Sequence, residues 1–253
     1  MPEPTVVITR PRAQADALAQ AVAGLGRQAV VLPLLDIAPL DDPAPLRAAL
    51  ARLPAYALVA FVSPNAVEAA FAHIAAWPAG VPIGVVGEGS RAALARHGVT
   101  GANATIHSPP DPALSDSEHL LARLDLAALA GKRVLIVRGE SGRELMADTL
   151  RAAGALVETV AAYRRSVPAL TDGLARQLSS LLAGQNDWII TSSEALRGLA
   201  ALVRQLDPGA GLSRLQEQHL IVPHARIAET ARALGCTRVT LTGSGDARLL
   251  AAL

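Results

Sequence analysis

The stretch Arg133-Val134-Leu135-Ile136-Val137-Arg138-Gly139-Glu140-Ser141-Gly142-Arg143 sets the narrowest limits on the fold. Four consecutive apolar residues, three of them β-branched, suit a strand covered on both faces, as in a parallel sheet between helix layers. Gly139 breaks that strand. The spacing of Leu145, Met146, Leu150 and Ala153 predicts a helix that starts at once and closes at Gly154. Val157 to Ala162 reads as the next strand, ending at Tyr163. Such a strand–helix–strand unit puts Arg, Gly and Ser at the carboxyl end of a parallel strand, where open α/β sheets bind ligands. Helix-start amides beside arginines favour an anion there.

The same unit opens the chain. Thr5 to Thr9 is a strand, Ala13 to Leu25 a helix stopped by Gly26, and Ala29 to Leu32 a strand. In this alignment Arg10 falls on Arg138, Gly26 on Gly154 and Leu35 opposite Tyr163. The correspondence continues. Leu58 to Val67 matches Asp187 to Leu196, and Ile83 to Ser90 matches Leu220 to Arg226. Ser115 to Leu121 then resembles Gly243 to Leu250. Two halves with one order of units predict two similar α/β domains. A cut near Gly131 would divide them simply. The Pro-rich stretch Pro39 to Pro45 and the break at Ser166-Val167-Pro168 would instead suit a discontinuous domain, and the residues permit either division.

At 253 residues and 51% hydrophobic content the chain has material for two cores. A net charge of +1 argues against a nucleic-acid partner. No apolar run reaches the roughly 18 residues that suggest a membrane helix. Met1-Pro2-Glu3-Pro4 leads straight into the first strand without a secretory layout, and the single Cys236 excludes an internal disulfide. A cytoplasmic protein is expected, with no membrane partner. The histidines and the lone cysteine offer no zinc spacing, so no metal is expected.

Six polar turns fall between a strand and a helix: Thr9-Arg10, Ser63-Pro64-Asn65, Gly87 to Ser90, Arg138 to Ser141, Thr191 to Glu194 and Pro223 to Arg226. Any one of them is explained by helix capping. Six together would line a cleft with helix amino termini, hydroxyls and a few arginines, which suits a polyanionic small molecule. Gly87-Glu88-Gly89-Ser90-Arg91-Ala92 fits the dinucleotide fingerprint, but the acidic residue required about 20 positions later is missing after Ile106-His107. Tyr163 has two readings of equal weight. It is a packing residue of a strand, or a phenol that donates its proton to a departing hydroxyl.

Taken in order, Thr9-Arg10-Pro11, Phe61 to Val67, Val86 to Ser90, Val137 to Arg143, Tyr163-Arg164-Arg165, Thr191 to Ala195 and His224 to Ala228 resemble the uroporphyrinogen-III synthase family over essentially the whole chain. The resemblance implies two flavodoxin-like, parallel-sheet α/β domains joined by a two-stranded linker, with the active site in the interdomain cleft. It selects the discontinuous division: residues 1–37 with 168–253, residues 42–163, and linkers 38–41 and 164–167. It also implies a cofactor-independent lyase of heme and siroheme biosynthesis that cyclises hydroxymethylbilane with loss of water and inversion of ring D through a spiro intermediate. A monomer is expected, receiving the bilane from the preceding pathway enzyme. Tyr163 takes the role of candidate acid by resemblance. Arg10, Ser63, Asn65, Gly89, Ser90, Arg138, Gly139, Ser192, Ser193 and His224 become candidate binding groups for substrate carboxylates. His224 stands where many relatives carry a hydroxyl, and Ser90 where threonine is common. The rival reading is a two-domain protein that binds a small polyanion without chemistry.

Overall fold

The computed structural model describes residues 3–111 and 114–253; Met1 and Pro2, the first residues of the Met1-Pro2-Glu3-Pro4 stretch, lie outside the described residues, as do Pro112 and Ala113. The opening unit is β1 (Val6–Ile8), α1 (Arg12–Gly24) and β2 (Ala29–Val31), from which β3 (Asp36–Ala38) leads out. Next come α2 (Ala44–Leu50), β4 (Leu58–Phe61), α3 (Pro64–Phe71), β5 (Ile83–Val85), α4 (Glu88–Arg96), β6 (Ile106–His107) and α5 (Ser117–Leu121). The second copy of the opening unit is β7 (Arg133–Gly139), α6 (Leu145–Ala152) and β8 (Leu156–Ser166). The chain ends with α7 (Asp172–Leu182), β9 (Asp187–Ile189), α8 (Ser193–Leu206), α9 (Gly211–Gln216), β10 (His219–Val222), α10 (Ala225–Ala233), β11 (Val239–Leu241) and α11 (Asp246–Leu250).

Two compact units result. One combines the stretch up to Asp36 with Ser166–Leu253, and the other is Ile37–Arg165. The first has the sheet order β11-β10-β9-β1-β2, every pair parallel. The second has the order β3-β8-β7-β4-β5-β6, parallel from β8 through β6. Numbered from the first strand of its opening unit, each sheet has the flavodoxin-like order 2-1-3-4-5, with β3 added at the edge of the second. The duplication is therefore crosswise. Each sheet takes two strands from one copy of the opening unit and the rest, three in the first and four in the second, from the opposite half of the chain.

The β7 run explains itself in this setting. Leu135 and Val137 pack with Val59, Phe61, Val67 and Leu94 on one face. Val134 and Ile136 pack with Leu120, Met146 and Leu150 on the other. All four are 2% exposed or less, and each such burial stabilises by about 1.5–3 kcal/mol. The first unit repeats the arrangement. Val7 and Trp188 join Leu196 and Leu199, while Val6, Ile8 and Ile189 join Leu18 and Leu249. The helices of the two opening units stop at Gly26 and Gly154, whose φ values of 80° and 86° are readily adopted only by glycine.

At the amino ends of the first sheet, Asp187 accepts from Arg27 Nη2 at 2.5 Å and lies 2.6 Å from His219 Nδ1. His219 Nε2 is 2.8 Å from Thr240 Oγ1, and Arg27 Nη1 donates to the Leu253 carbonyl at 2.9 Å. This network ties the first 36 residues to the last part of the chain. No helix among the described residues is long and apolar enough to cross a membrane.

Candidate functional site

In a 2-1-3-4-5 sheet the strand order reverses between strands 1 and 3, leaving a crevice at their carboxyl ends. In the second unit that point lies between β7 and β4. Ser63 follows β4 and caps α3, its Oγ accepting from the Ala66 amide at 3.1 Å, with Pro64 in the first helical position. Asn65, half-buried, occupies the next position.

Tyr163 reaches this turn from β8, two strands away. Along β7 and β8 the register runs Arg133↔Leu156 to Arg138↔Ala161, then jumps to Gly139↔Tyr163, leaving Ala162 as an extra residue. Side chains alternate along a regular strand, so a residue one past Ala162 would face the opposite way. The bulge turns Tyr163 to the same side as Val160 and Ala162, with which it packs. Its ring then lies over Gly139. A Cβ there would stand 3.1–3.3 Å from the ring atoms Cζ and Cε2 and from Oη. The phenol, in a residue only 4% exposed, is 3.0 Å from Ser63 Oγ.

The segment after Gly139 departs from expectation. No helix begins there; residues 140–144 form a loop and α6 starts at Leu145. Three arginines hold the loop. Arg138, buried, donates to Glu144 at 2.6 Å, Arg143 to both Glu118 oxygens at 2.5 and 3.0 Å, and Arg165 to the Ser141 carbonyl at 3.0 Å. Arg138 and Gly139 are thus strand residues and not helix-start groups, which corrects the expectation of a helix starting at once after Gly139. The Glu140 amide is already used by the Tyr163 carbonyl at 3.0 Å.

At the neighbouring turn, Gly89 is exposed in the first turn of α4, whereas Ser90 is 2% exposed and its hydroxyl has no hydrogen-bond partner. That hydroxyl is turned inward, so at this turn Gly89, not Ser90, presents the accessible group. A groove of about 410 Å³ lies beside it, lined by Glu88, Arg91, His107, Ser108 and Arg123. β6 ends at His107, without the carboxylate that an NAD site needs there for the ribose. Among the described residues no group of three or more His, Cys, Asp or Glu is placed to hold a metal.

The first unit has the equivalent crevice between β1 and β9. Thr9 Oγ1 bridges the two strands by donating to the Ile189 carbonyl at 2.9 Å. Arg10 is paired with Asp246 at 2.7 Å. Ser192 caps α8 by accepting from the Ala195 amide at 3.3 Å. Ser193 is buried, its Oγ 3.5 Å from the Arg226 carbonyl, and His224 Nε2 is 3.4 Å from Ser244 Oγ. All these groups lie at strand carboxyl ends. Sequence reasoning missed Glu144 and Asp246, the carboxylates that neutralise the two equivalent arginines. Glu144 stood within reach on the same loop, but nothing local marked Asp246.

A family model described as uroporphyrinogen-III synthase HemD matches residues 16–242. The uroporphyrinogen-III synthase of Salmonella typhimurium is 32% identical over 246 residues, covering 96% of each chain. That of Escherichia coli is 31% identical with the same coverage. In fold, the chain is similar to a mutant uroporphyrinogen III synthase from Thermus thermophilus, with a TM-score of 0.60 at 16% identity, covering 99% of this chain and 97% of that one. The Helicobacter pylori enzyme gives 0.60 at 15% identity, covering 99% and 98%.

Proposed function

Because the chain belongs to the uroporphyrinogen-III synthase family, we propose that it cyclises hydroxymethylbilane to uroporphyrinogen III and that Tyr163 protonates the departing hydroxyl. The observation that carries this reading is the phenol seated over Gly139 within 3.0 Å of Ser63, at the strand-order reversal of the second unit. The C–O bond of the hydroxymethyl group breaks, the oxygen leaves as water with the phenol's proton, and an electrophilic azafulvene remains. The terminal pyrrole attacks through its substituted carbon to give a spiro intermediate. Fragmentation and re-closure invert ring D, and the proton then lost from the pyrrole restores the phenol. No cofactor enters these steps.

The uncatalysed bilane closes to the symmetric isomer, so the protein's task is largely to hold one folded pose. Accessible amides and hydroxyls at Ser63, Asn65, Gly89 and Ser192 hold substrate carboxylates. His224 serves at its own turn. Arg10 and Arg138 already satisfy carboxylates of the chain, so the strand ends attract the polyanion through neutral donors more than through net charge. The proposal extends to a monomeric cytoplasmic enzyme that receives the bilane from the enzyme that makes it.

The test is a coupled assay. Hydroxymethylbilane is generated in situ, products are oxidised, and the two uroporphyrin isomers are separated by chromatography. Dominance of the asymmetric isomer supports the synthase. Symmetric isomer alone from folded protein refutes it and leaves a polyanion-binding protein.

A further inference from the structure

We propose that Gly139 is a positioning residue, which with the β8 bulge fixes where the Tyr163 phenol delivers its proton. The proposal rests on the reading of Tyr163 as the acid. Its grounds are geometric. β7 lies between β8 and β4 in the sheet, so the Tyr163 side chain must cross β7 to reach Ser63. A strand normally presents a side chain at every residue, and only glycine leaves the crossing open. Bulges are rare in parallel pairs, and this one falls where the aromatic ring needs re-aiming.

An alanine at Gly139 brings its methyl group within 3.1–3.3 Å of the far end of the ring, the end that bears the reacting oxygen. The ring then gives way by a few tenths of an ångström and shifts the hydroxyl against both Ser63 and substrate. A misplacement of 1 Å can cut a rate by about 10²-fold, so a shift of this size lowers it by about three- to tenfold. Gly89 and Ser192 hold substrate carboxylates at other turns, and Ser63 keeps its place as the α3 cap, so KM stays nearly constant while kcat falls.

The test compares wild type, Gly139→Ala, Tyr163→Phe and the double variant in the isomer assay, with melting temperatures for all four. The expected kcat loss for Gly139→Ala is about three- to tenfold in the tyrosine background, by the same positioning argument. It disappears in the phenylalanine background, where the displaced ring bears no proton. A drop in melting temperature persists in the phenylalanine background, because Cζ and Cε2 of the ring still meet the methyl group. An equal kcat loss in both backgrounds, or none in either, overturns the positioning role. A Tyr163→Phe enzyme at wild-type rate removes the acid and its seat together, and is distinct from a slow Tyr163→Phe beside an unaffected Gly139→Ala. Should Gly139→Ala not fold, wild-type protein with labelled tyrosine gives a second check. Tyr56 is the only other tyrosine. Through-space NMR contacts between the Tyr163 ring and the Gly139 α-protons are expected, and their absence overturns the proposal.

Discussion

Replacing Tyr163 with phenylalanine removes one oxygen atom and separates chemistry from stability. The lost hydrogen bond to Ser63 is 3.0 Å long and contributes about 0.5–1.5 kcal/mol. Ser63 keeps its bond from the Ala66 amide, so no buried group is orphaned and the α3 cap survives. For a chain of this size, 1 kcal/mol corresponds to a melting shift of about 2–4 °C. That is too small to unfold an appreciable fraction at 25 °C. Any rate change at that temperature therefore reports the reaction. General acids typically contribute about 10²- to 10⁴-fold. A hydroxyl on a carbon attached to pyrrole departs readily, because the ring nitrogen supplies electrons, so the loss sits at or below about 10²-fold by the same measure. The isomer assay at 25 °C and a thermal melt are the two measurements. A variant with wild-type rate, or one completely inactive with an unchanged melt, refutes the reasoning.

Three further outcomes follow from the packing. Gly211→Ala places a methyl group against the Val203 carbonyl oxygen, which is backbone and cannot move aside. A stability loss of about 1–3 kcal/mol in thermal denaturation is expected, and an unchanged melt contradicts it. Burial raises the Glu158 carboxyl, but a hydrogen bond from Tyr56, the charge of Arg52 and hydrogen bonds from Arg133 and Arg52 outweigh it and hold the group below its ordinary 4.5. Because the folded value is depressed, its stabilisation is present above about 4.5 and lost as pH falls through the lower folded value. Glu158→Gln should flatten that part of an acid-denaturation curve, and an unaltered slope counts against the assignment. Cys236 is 2% exposed and burial pushes its thiol up, so native protein should not react with a thiol reagent, whereas denatured protein should react with one equivalent.

Several features of this fold were legible because they are local. The double-faced strand showed in Val134 to Val137, and the helix stops in Gly26 and Gly154. The two opening units could be aligned because each repeats the same sequence of periods. Register was not legible. An alternating pattern tells which face a residue takes but does not count residues between ladder pairs, so the extra Ala162 left no mark. The loop at residues 140–144 is not legible, because helical spacing from Leu145 onward does not reveal where the first turn closes. Ser90 looked like its neighbours in composition, and only the packing of α4 turns its hydroxyl inward. The pairing of Arg10 with Asp246 spans nearly the whole chain and depends on β1 lying beside β9.

That last adjacency sets a timetable for synthesis on the ribosome. Ile37–Arg165 is continuous, so it can collapse as soon as β8 emerges. The opening β1–α1–β2 segment has no such opportunity. β1 is interior to its sheet, and its other neighbour, β9, begins at Asp187. Although β2 can pair with one edge of β1, the edge that receives β9 must wait while most of the chain is translated. The loop that this pairing finally closes is long, and its entropy grows only slowly with length, so the delay is kinetic more than thermodynamic. During that interval the nascent chain presents an apolar strand with one edge unpaired, and this is the segment where a chaperone has most to protect.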